Sequence, residues 1–591
     1  MKAFYVIIIL GDFMNLVLKL ESLINEVIKK LGYEDEVKIN VSNRPDLGDY
    51  QYNGAFSLAK KYHKNPNMIA NEIVTKLKEL PVFKGVSNVG GFINLSLSDE
   101  VLISYINEIN NSFEINTYKE TDKKTYFLDY GGANVAKALH AGHLRSPNIG
   151  EALKRLFNAV GYKTISDVHF GDWGRPMGLI ICEIKHRMPN LPYFDDSFNG
   201  KYPDKCPVTL DDLYEIYPTA SIKAKEDEKY LEEARELTVR LQNRDKGIYD
   251  LYKSFTTLSI NDINDIYSLL GATFDLYEGE KDADDYIKPM LDYLNNNNYT
   301  EISDGATIID VKEETDKKEM PPVILIKSNG GLLYDSTELA TLYGREKRFN
   351  PDGYLYLTDI RQELHFEGAF RAAYKTNIVS KDKKLEWYGF GTMNGPDGKP
   401  FKTRDGGVMS LRNLIDIVKD ETRKVIKDNI KEEDKDKLAL DLAIAAIKFA
   451  DLLPNRASDY IFDPVKFSDI NGKTGPYVLY GTVRMSSLLK KSDIEYKKYN
   501  VINTEEERNI ILTLINLRSV IEKSFKTRTV NEICEYVYKL TSLFNAFYSN
   551  HEVLTEKDNV IKESYLSLIS LVLKTNKYLL DILAIKVPDK I

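Results

Sequence analysis

Between residues 124 and 170 the chain alternates in a way that few architectures accommodate. KTYFLDY (124–130) is aromatic and apolar enough for a buried strand, and Gly131-Gly132 breaks it. NIGEALKRLFNAVG follows, with Ile149, Ala152, Leu153, Leu156, Phe157 and Val160 on one helical face and Gly161 as the stop. YKTISDVHF (162–170) then reads as a second strand. Strand, loop, helix, strand is the unit of an open parallel sheet, whose ligands sit beyond the carboxyl ends of the strands. The loop at that position is GGANVAKALHAGHLRS (131–146). It carries two of only seven histidines, and Asn134, Lys137, His140 and His143 recur in it at intervals of three.

Three readings of this loop compete. One face of a continuous helix would explain the interval, but Gly131, Gly132 and Gly142 each cost about 1 kcal/mol there. A metal site would need more ligands than His140 and His143, and no Cys/His cluster accompanies them. The third reading is a nucleotide triphosphate site. A helix starting just after Gly142 would aim free N–H groups at anionic oxygens. Imidazoles beside it would donate to a phosphate whose charge grows in the transition state. Gly142 would be required because a side chain there would fill the space of the nucleotide.

The rest of the chain sets bounds. Its 591 residues suggest three or four domains at about 150 residues each. A net charge of -9 excludes a protein that coats polyanions indiscriminately, so any nucleic-acid contact needs a local basic surface. Cys182, Cys206 and Cys534 form neither a metal pair nor a disulfide framework, which points to a reducing cytoplasm. The apolar run 3–10 is too short to span a bilayer and no small-residue cleavage site follows. It reads as a buried strand, or as an extension ahead of a start at Met14.

Three regions emerge. Residues 14–122 read as an α+β unit with helices near 14–31 and 71–80, a helix after the loop from residue 44, and a strand at 89–97. Residues 123–411 carry the strand–helix unit and later strand-like pieces ATIIDV, PPVILIKSNG and GYLYLTDI. Residues 412–591 are almost wholly helical and read as a bundle.

HAGH resembles the HIGH signature of class I aminoacyl-tRNA synthetases, and its surroundings resemble the arginyl-tRNA synthetases. The blocks are NVAKALHAGHLRSPNIGEALKRL, GDWGRPMGL, LYDSTELAT, DIRQELHF, GPDGKPFKTRDGG and GKTGPYVLYGTVR, in that order, with GDYQYNGAFSLAK and GGFINL in the first region. The resemblance runs from Met14 to Ile591. It implies a multidomain α/β protein: an N-terminal α+β domain at the tRNA elbow, a Rossmann-like catalytic domain, and a C-terminal helical domain that binds the anticodon. The implied enzyme is a cytoplasmic, monomeric ligase that makes arginyl-adenylate from arginine and ATP and passes arginine to tRNA(Arg). Magnesium would accompany ATP, and no resident protein metal is implied.

Roles carry over by position. His140 and His143 would stabilise the α-phosphate, with Gly142 against the nucleotide. Asp129, Asn134, Tyr334, Glu338 and Gln362 would hold arginine; acceptors suit its planar five-donor fork. The second class I signature falls on residues 400–404, where Lys402 and Arg404 would contact phosphates and Thr403 replaces a lysine. Lys137 would supply the missing charge. Tyr477, Tyr480, Arg484 and Tyr548 would meet the anticodon by stacking and edge contacts. Glu338 replaces the family's usual Asp, Gly132 a common Ser, and Pro147 falls inside the expected helix, where it would remove a hydrogen bond unless the helix begins later. These departures leave two alternatives standing: a silent tRNA-binding paralogue, and a small nucleotidyltransferase sharing the HxGH loop.

Overall fold

The computed structural model describes residues 15–44, 46–317, 319–328, 330–332, 334–399, 409–426 and 430–591. The apolar run at the start and the loop with Lys402 and Arg404 lie outside the described residues, as does the Tyr334 side chain.

The first region begins with the helix Leu16–Lys30, capped by Asn15, whose Oδ1 accepts from the Val17 N–H at 2.9 Å. Four antiparallel strands follow: β1 (Ile39–Val41), β2 (Tyr50–Tyr52), β3 (Phe83–Val89) and β4 (Phe92–Leu97), in the order β1-β2-β4-β3. Sequence patterning anticipates only β4. β1 and β2 are three residues each, too short to show alternation, and FKGVSNV breaks its own pattern with Gly85 and polar side chains. This domain docks on the C-terminal helices. Arg508, in the helix Glu505–Ile515, donates to Asp99 and Asp49 at 2.6 Å each and to the Leu97 carbonyl at 2.9 Å.

The central sheet is wholly parallel: β5 (Thr125–Asp129), β6 (Lys163–Asp167), β10 (Gly353–Asp359) and β11 (Lys384–Phe390), ordered β11-β10-β5-β6. Between them in sequence lies a small antiparallel sheet of β7 (Glu301–Ser303), β8 (Ala306–Ile309) and β9 (Val323–Ile326). From β5 the chain passes through the helix Arg145–Ala159 to β6 on one side. From β10 it passes through the helix Glu363–Lys375 to β11 on the other. The winding therefore reverses between β5 and β10, which opens a crevice at their carboxyl ends.

The six apolar residues predicted on one face of the Arg145–Ala159 helix and its cap, Ile149 to Val160, are all buried. Pro147 causes no break, because this helix starts at Arg145 and Pro147 sits in its first turn, where its missing N–H has no helical partner to lose. A 3-10 turn over Ala141–His143 precedes it. The stretch after Gly174 holds helices that polar composition concealed, Arg175–Arg187 and Leu210–Glu226.

Beyond residue 410 the described residues are mostly helical, with one two-residue strand, Tyr460–Ile461. The helix Glu432–Leu452 serves two cores at once. Ala443, Ala446, Ile447 and Ala450 pack with Leu139 and Leu144 of the histidine loop, while Leu438, Leu442 and Phe449 join the core shared with the C-terminal helices. Among the described residues no helix is long and apolar enough to cross a membrane.

Arg508 is 4% exposed at its side chain, so its truncation strands Asp49 at a closed interface. Arg508→Ala is expected to lower the unfolding free energy by about 3 kcal/mol, read as a shifted midpoint in urea denaturation.

Candidate functional site

The crevice between β5 and β10 is a cleft of about 730 Å³. His140, Gly142, His143, Asn134, Asp129, His169, Glu280, Glu338, Asp359 and Gln362 all line it. Segments far apart in sequence thus meet here, and the histidine loop forms one wall.

That loop folds on itself. The His140 N–H donates to His143 Nδ1 at 3.0 Å, and the Gly142 N–H to His140 Nδ1 at 3.1 Å. The His143 and Leu144 N–H groups close the turn onto the His140 and Ala141 carbonyls, and the Ala141 N–H reaches the Met409 carbonyl. Every N–H from His140 to Leu144 therefore has a partner. The turn over 140–144 thus offers no free backbone N–H, and the helix expected just after Gly142 starts at Arg145. Because both Nδ1 atoms accept, both rings carry their proton on Nε2. The structure gives Gly142 a further constraint, since a Cβ there would stand 2.9 Å from His140 Cε1. The glycine makes room for the histidine ring.

Burial lowers the proton affinity of His140. It holds His143 down at about 3, with the adjoining His140 and Lys137 charges acting the same way. The rings lie 3.8 Å apart, so two positive charges there would repel strongly. Both are neutral N–H donors at physiological pH. Lys137 does not line the cleft: its Nζ lies 4.2 Å over the Tyr217 ring.

The far wall is acidic. Asp129 and Asp167 end neighbouring parallel strands and face each other in register. Arg345, from the helix Tyr334–Phe349, lies between them, 2.7 Å from Asp129 Oδ2 and 2.6 Å from Asp167 Oδ2, and donates to the Tyr356 hydroxyl at 3.0 Å. Burial opposes ionisation of Asp167, but His169 and Arg345 outweigh it and hold Asp167 below the usual carboxylate range. His169 Nδ1 sits 3.8 Å from Asp167 Oδ2, an ion pair without a hydrogen bond. Burial alone would lower His169, yet the Asp167 and Asp129 charges hold it up at about 9. Two aspartates, Arg345 and His169 thus sum to zero charge. Asp129, Asp167 and His169 are close enough to hold a cation, but Arg345 already occupies that role.

Two carboxyls remain over. Glu338 is 3% exposed, and among the described residues its Oε1 has no hydrogen-bond partner. Burial raises its pKa, with Asp129 adding to the effect. Glu280 is pushed up to about 7, first by burial and then by the Asp172 and Glu338 charges, with His169 opposing. These two carboxyls are an acidic excess over the neutral set, of the kind a guanidinium would meet. Asn134 and Gln362 are open to the cleft beside it. Glu280, His169 and Arg345 escaped sequence reasoning; only His169, a scarce residue two positions before GDWG, offered any signal.

The tRNA-facing residues separate into two kinds. Arg484 is exposed, donates to Asn545 Oδ1 at 2.8 Å, and lies 5.7 Å from the ring of Tyr548, itself 38% exposed. Tyr477 and Tyr480 are half-buried: the first donates to Ser542 and packs on Tyr538, and the second donates to the Val425 carbonyl.

Comparison with known proteins agrees with this architecture. Residues 107–464 match the family described as tRNA synthetases class I (R), catalytic domain. Residues 18–97 match the arginyl tRNA synthetase N terminal domain, and 478–591 the DALR anticodon binding domain. The chain is 42% identical over 583 residues to an arginine–tRNA ligase of Alkaliphilus oremlandii, covering 97% of this chain and 99% of that protein. It is 41% identical over 595 residues to one from Agathobacter rectalis, covering 97% and 100%. The arginyl-tRNA synthetase structure from Plasmodium falciparum superposes with a TM-score of 0.80 at 27% identity, covering 98% of this chain and 99% of that one. The Thermus thermophilus structure, at 20% identity and a TM-score of 0.74, covers 98% and 100% and shares the fold.

The depressed His143 predicts its own titration. Its Nε2–H tautomer should persist from pH 8 to pH 5 in histidine-labelled NMR spectra of the ligand-free protein. Below about pH 6.5 the unfolded chain takes up this proton before the folded one, so His143 makes stability fall as pH drops towards 3.

Proposed function

The chain belongs to the class I arginyl-tRNA synthetases, and from that premise we propose how its own residues divide the work of an arginine–tRNA ligase. The observation that carries the assignment is the cleft itself, where two neutral Nε2–H donors line one wall and two surplus carboxyls the other. The first suits the α-phosphate of ATP and the second the guanidinium of arginine.

In the first step a carboxylate oxygen of arginine bonds to the α-phosphorus as the bond to the β-phosphate's bridging oxygen breaks and pyrophosphate leaves. Charge grows on the α-phosphate oxygens, and His140 and His143 donate to them. Each such donor is worth roughly 10²–10³ in rate. Neutral rings suit this role, since they strengthen no ground-state ion pair and give up no proton. In the second step the 3′-terminal adenosine hydroxyl of tRNA(Arg) attacks the arginyl carbonyl and AMP departs.

Glu338 and Glu280 receive the guanidinium, whose planar fork engages two carboxylates where a lysine ammonium would leave acceptors unpaired. Asp129 acts mainly by fixing Arg345. Asn134 is assigned to the α-amino and carboxylate end of arginine, Tyr334 and Gln362 to its guanidinium, and Gly142 to the nucleotide. Lys402 and Arg404, with Lys137 released from Tyr217, are assigned to the phosphates. Magnesium is proposed to travel on the ATP phosphates, where it would neutralise charge. Asp129 is committed to Arg345 and Asp359 to Arg361 at 2.7 Å, so these carboxylates form no cage for it. Arg484 and Tyr548 offer a cation and an exposed ring for unstacked anticodon bases, with Tyr477 and Tyr480 supporting from behind. A cytoplasmic monomer is the assembly and location proposed.

Pyrophosphate exchange with each of the twenty amino acids, with and without bulk tRNA, tests the reading. Exchange supported by arginine alone among them is expected; tRNA binding without exchange would instead favour the silent paralogue, and exchange without tRNA-domain involvement the nucleotidyltransferase. Arginine binding should release a proton near pH 6, since the guanidinium converts Glu280 from carboxyl to carboxylate. Affinity for arginine should accordingly rise with pH up to about 7 and then level off. Calorimetry in buffers of different ionisation enthalpy reads both effects, and Glu280→Gln should abolish the pH dependence. Arg484→Ala and Tyr548→Ala should each raise KM for tRNA by roughly tenfold, leaving KM for arginine unchanged.

A further inference from the structure

Arg145 lies two residues beyond His143, and its side chain is almost fully buried. Its Nε donates to Asp451 Oδ1 at 2.8 Å, its Nη1 to the Ser458 carbonyl at 3.0 Å, and its guanidinium lies 5.1 Å from the Tyr460 ring. One turn further along the same helix, Asn148 donates from Nδ2 to Asp451 Oδ2 at 2.7 Å. Each oxygen of a single buried carboxylate thus grips a different side chain in the first turn of the Arg145–Ala159 helix. Asp451 comes from the helix Glu432–Leu452, some 306 positions away, and does not line the cleft.

The histidine loop has two ends. At its entry the backbone is stapled to the strand-like residues 409–411: Leu411 N–H to Leu139 O at 2.7 Å, Ala141 N–H to Met409 O at 3.1 Å, and a bridge between His140 and Ser410. At its exit His143 runs through Leu144 straight into the helix that Asp451 holds. Two attachments to one rigid group, at Arg145 and at Asn148, fix that turn in rotation as well as in position. A lone apolar contact would leave the helix free to roll, and a roll there swings both Nε2–H vectors.

We infer that Asp451 is a positioning residue for adenylate formation: through Arg145 and Asn148 it sets the aim of His140 and His143. The Glu432–Leu452 helix acts as the exit clamp of the loop, just as residues 409–411 act as its entry clamp. The carboxylate itself touches no substrate. Its effect is on the transition-state term, because substrate contacts elsewhere in the cleft remain in place.

The test uses the full chain and compares Asp451→Asn with the exchange pair Asn148→Asp/Asp451→Asn. The single variant puts an amide where two acceptors are needed, while the pair restores a carboxylate between the two helices. For Asp451→Asn, kcat of arginine-dependent pyrophosphate exchange should fall by roughly 10–100-fold per folded molecule, with KM for arginine and ATP within about twofold of wild type. The exchange pair should recover most of kcat. A purely structural ion pair would behave otherwise: the thermal midpoint would drop while kcat per folded molecule stayed at the wild-type value, and that result overturns the inference. So does a loss confined to KM. Should Asp451→Asn fail to fold, Asn148→Ala keeps the Arg145–Asp451 pair and removes one tie only. It then carries the same kcat-against-KM prediction at several-fold, and an unchanged kcat there overturns the inference equally. Loss of the whole family activity would look different, with no exchange in the wild type.

Discussion

Arg345 is the contact on which the catalytic region rests. Parallel strands bring Asp129 and Asp167 side by side at their carboxyl ends, and two desolvated carboxylates there would repel or take up protons. The guanidinium between them, sealed by Tyr356 and fully buried, allows the strand ends to stay charged and in register. His169 then completes a neutral set. Only because that set is neutral do Glu338 and Glu280 stand as an acidic excess. Substrate recognition is therefore a consequence of how the sheet ends are held together.

A second constraint shapes the opposite wall. The histidine loop uses up its own backbone N–H groups, so its shape does not depend on a ligand. Each imidazole is oriented by the backbone donor at its Nδ1, and burial keeps each ring neutral. Such preorganised donors need little rearrangement as phosphate charge develops. The loop is held by segments lying 270 to 310 positions downstream, which explains why a helical region beyond the sheet packs into the same core as Leu139 and Leu144.

Much of this was legible in the residues, and its limits are physical. The face from Ile149 to Val160 is amphipathic with a helical period, and a period survives without knowledge of neighbours. The order β5, loop, helix, β6 followed from glycine breaks and apolar runs. Short strands such as β1 and β2 were not legible, since three residues show no alternation and owe their state to β4 beside them. That a side chain at Gly142 would crowd the His140 ring is visible only in the folded loop. That the Tyr480 hydroxyl is held by the Val425 carbonyl is likewise invisible in local pattern.

What the sequence determined by itself was the kind of chemistry and the parts that carry local signals: the paired histidines, the strand–loop–helix unit, the ordered blocks of the family. What only the tertiary structure decided was which charges meet. Arg345, Glu280 and His169 come from three segments, and beyond the scarcity of histidine nothing in their own neighbourhoods marks them, because electrostatic pairing depends on distance in space and on the water excluded by burial. The same holds for Asp451, whose role depends on a helix register set hundreds of residues away. Local periodicity is written in consecutive residues, but the dielectric and the partner of a charge exist only once the chain has closed around it.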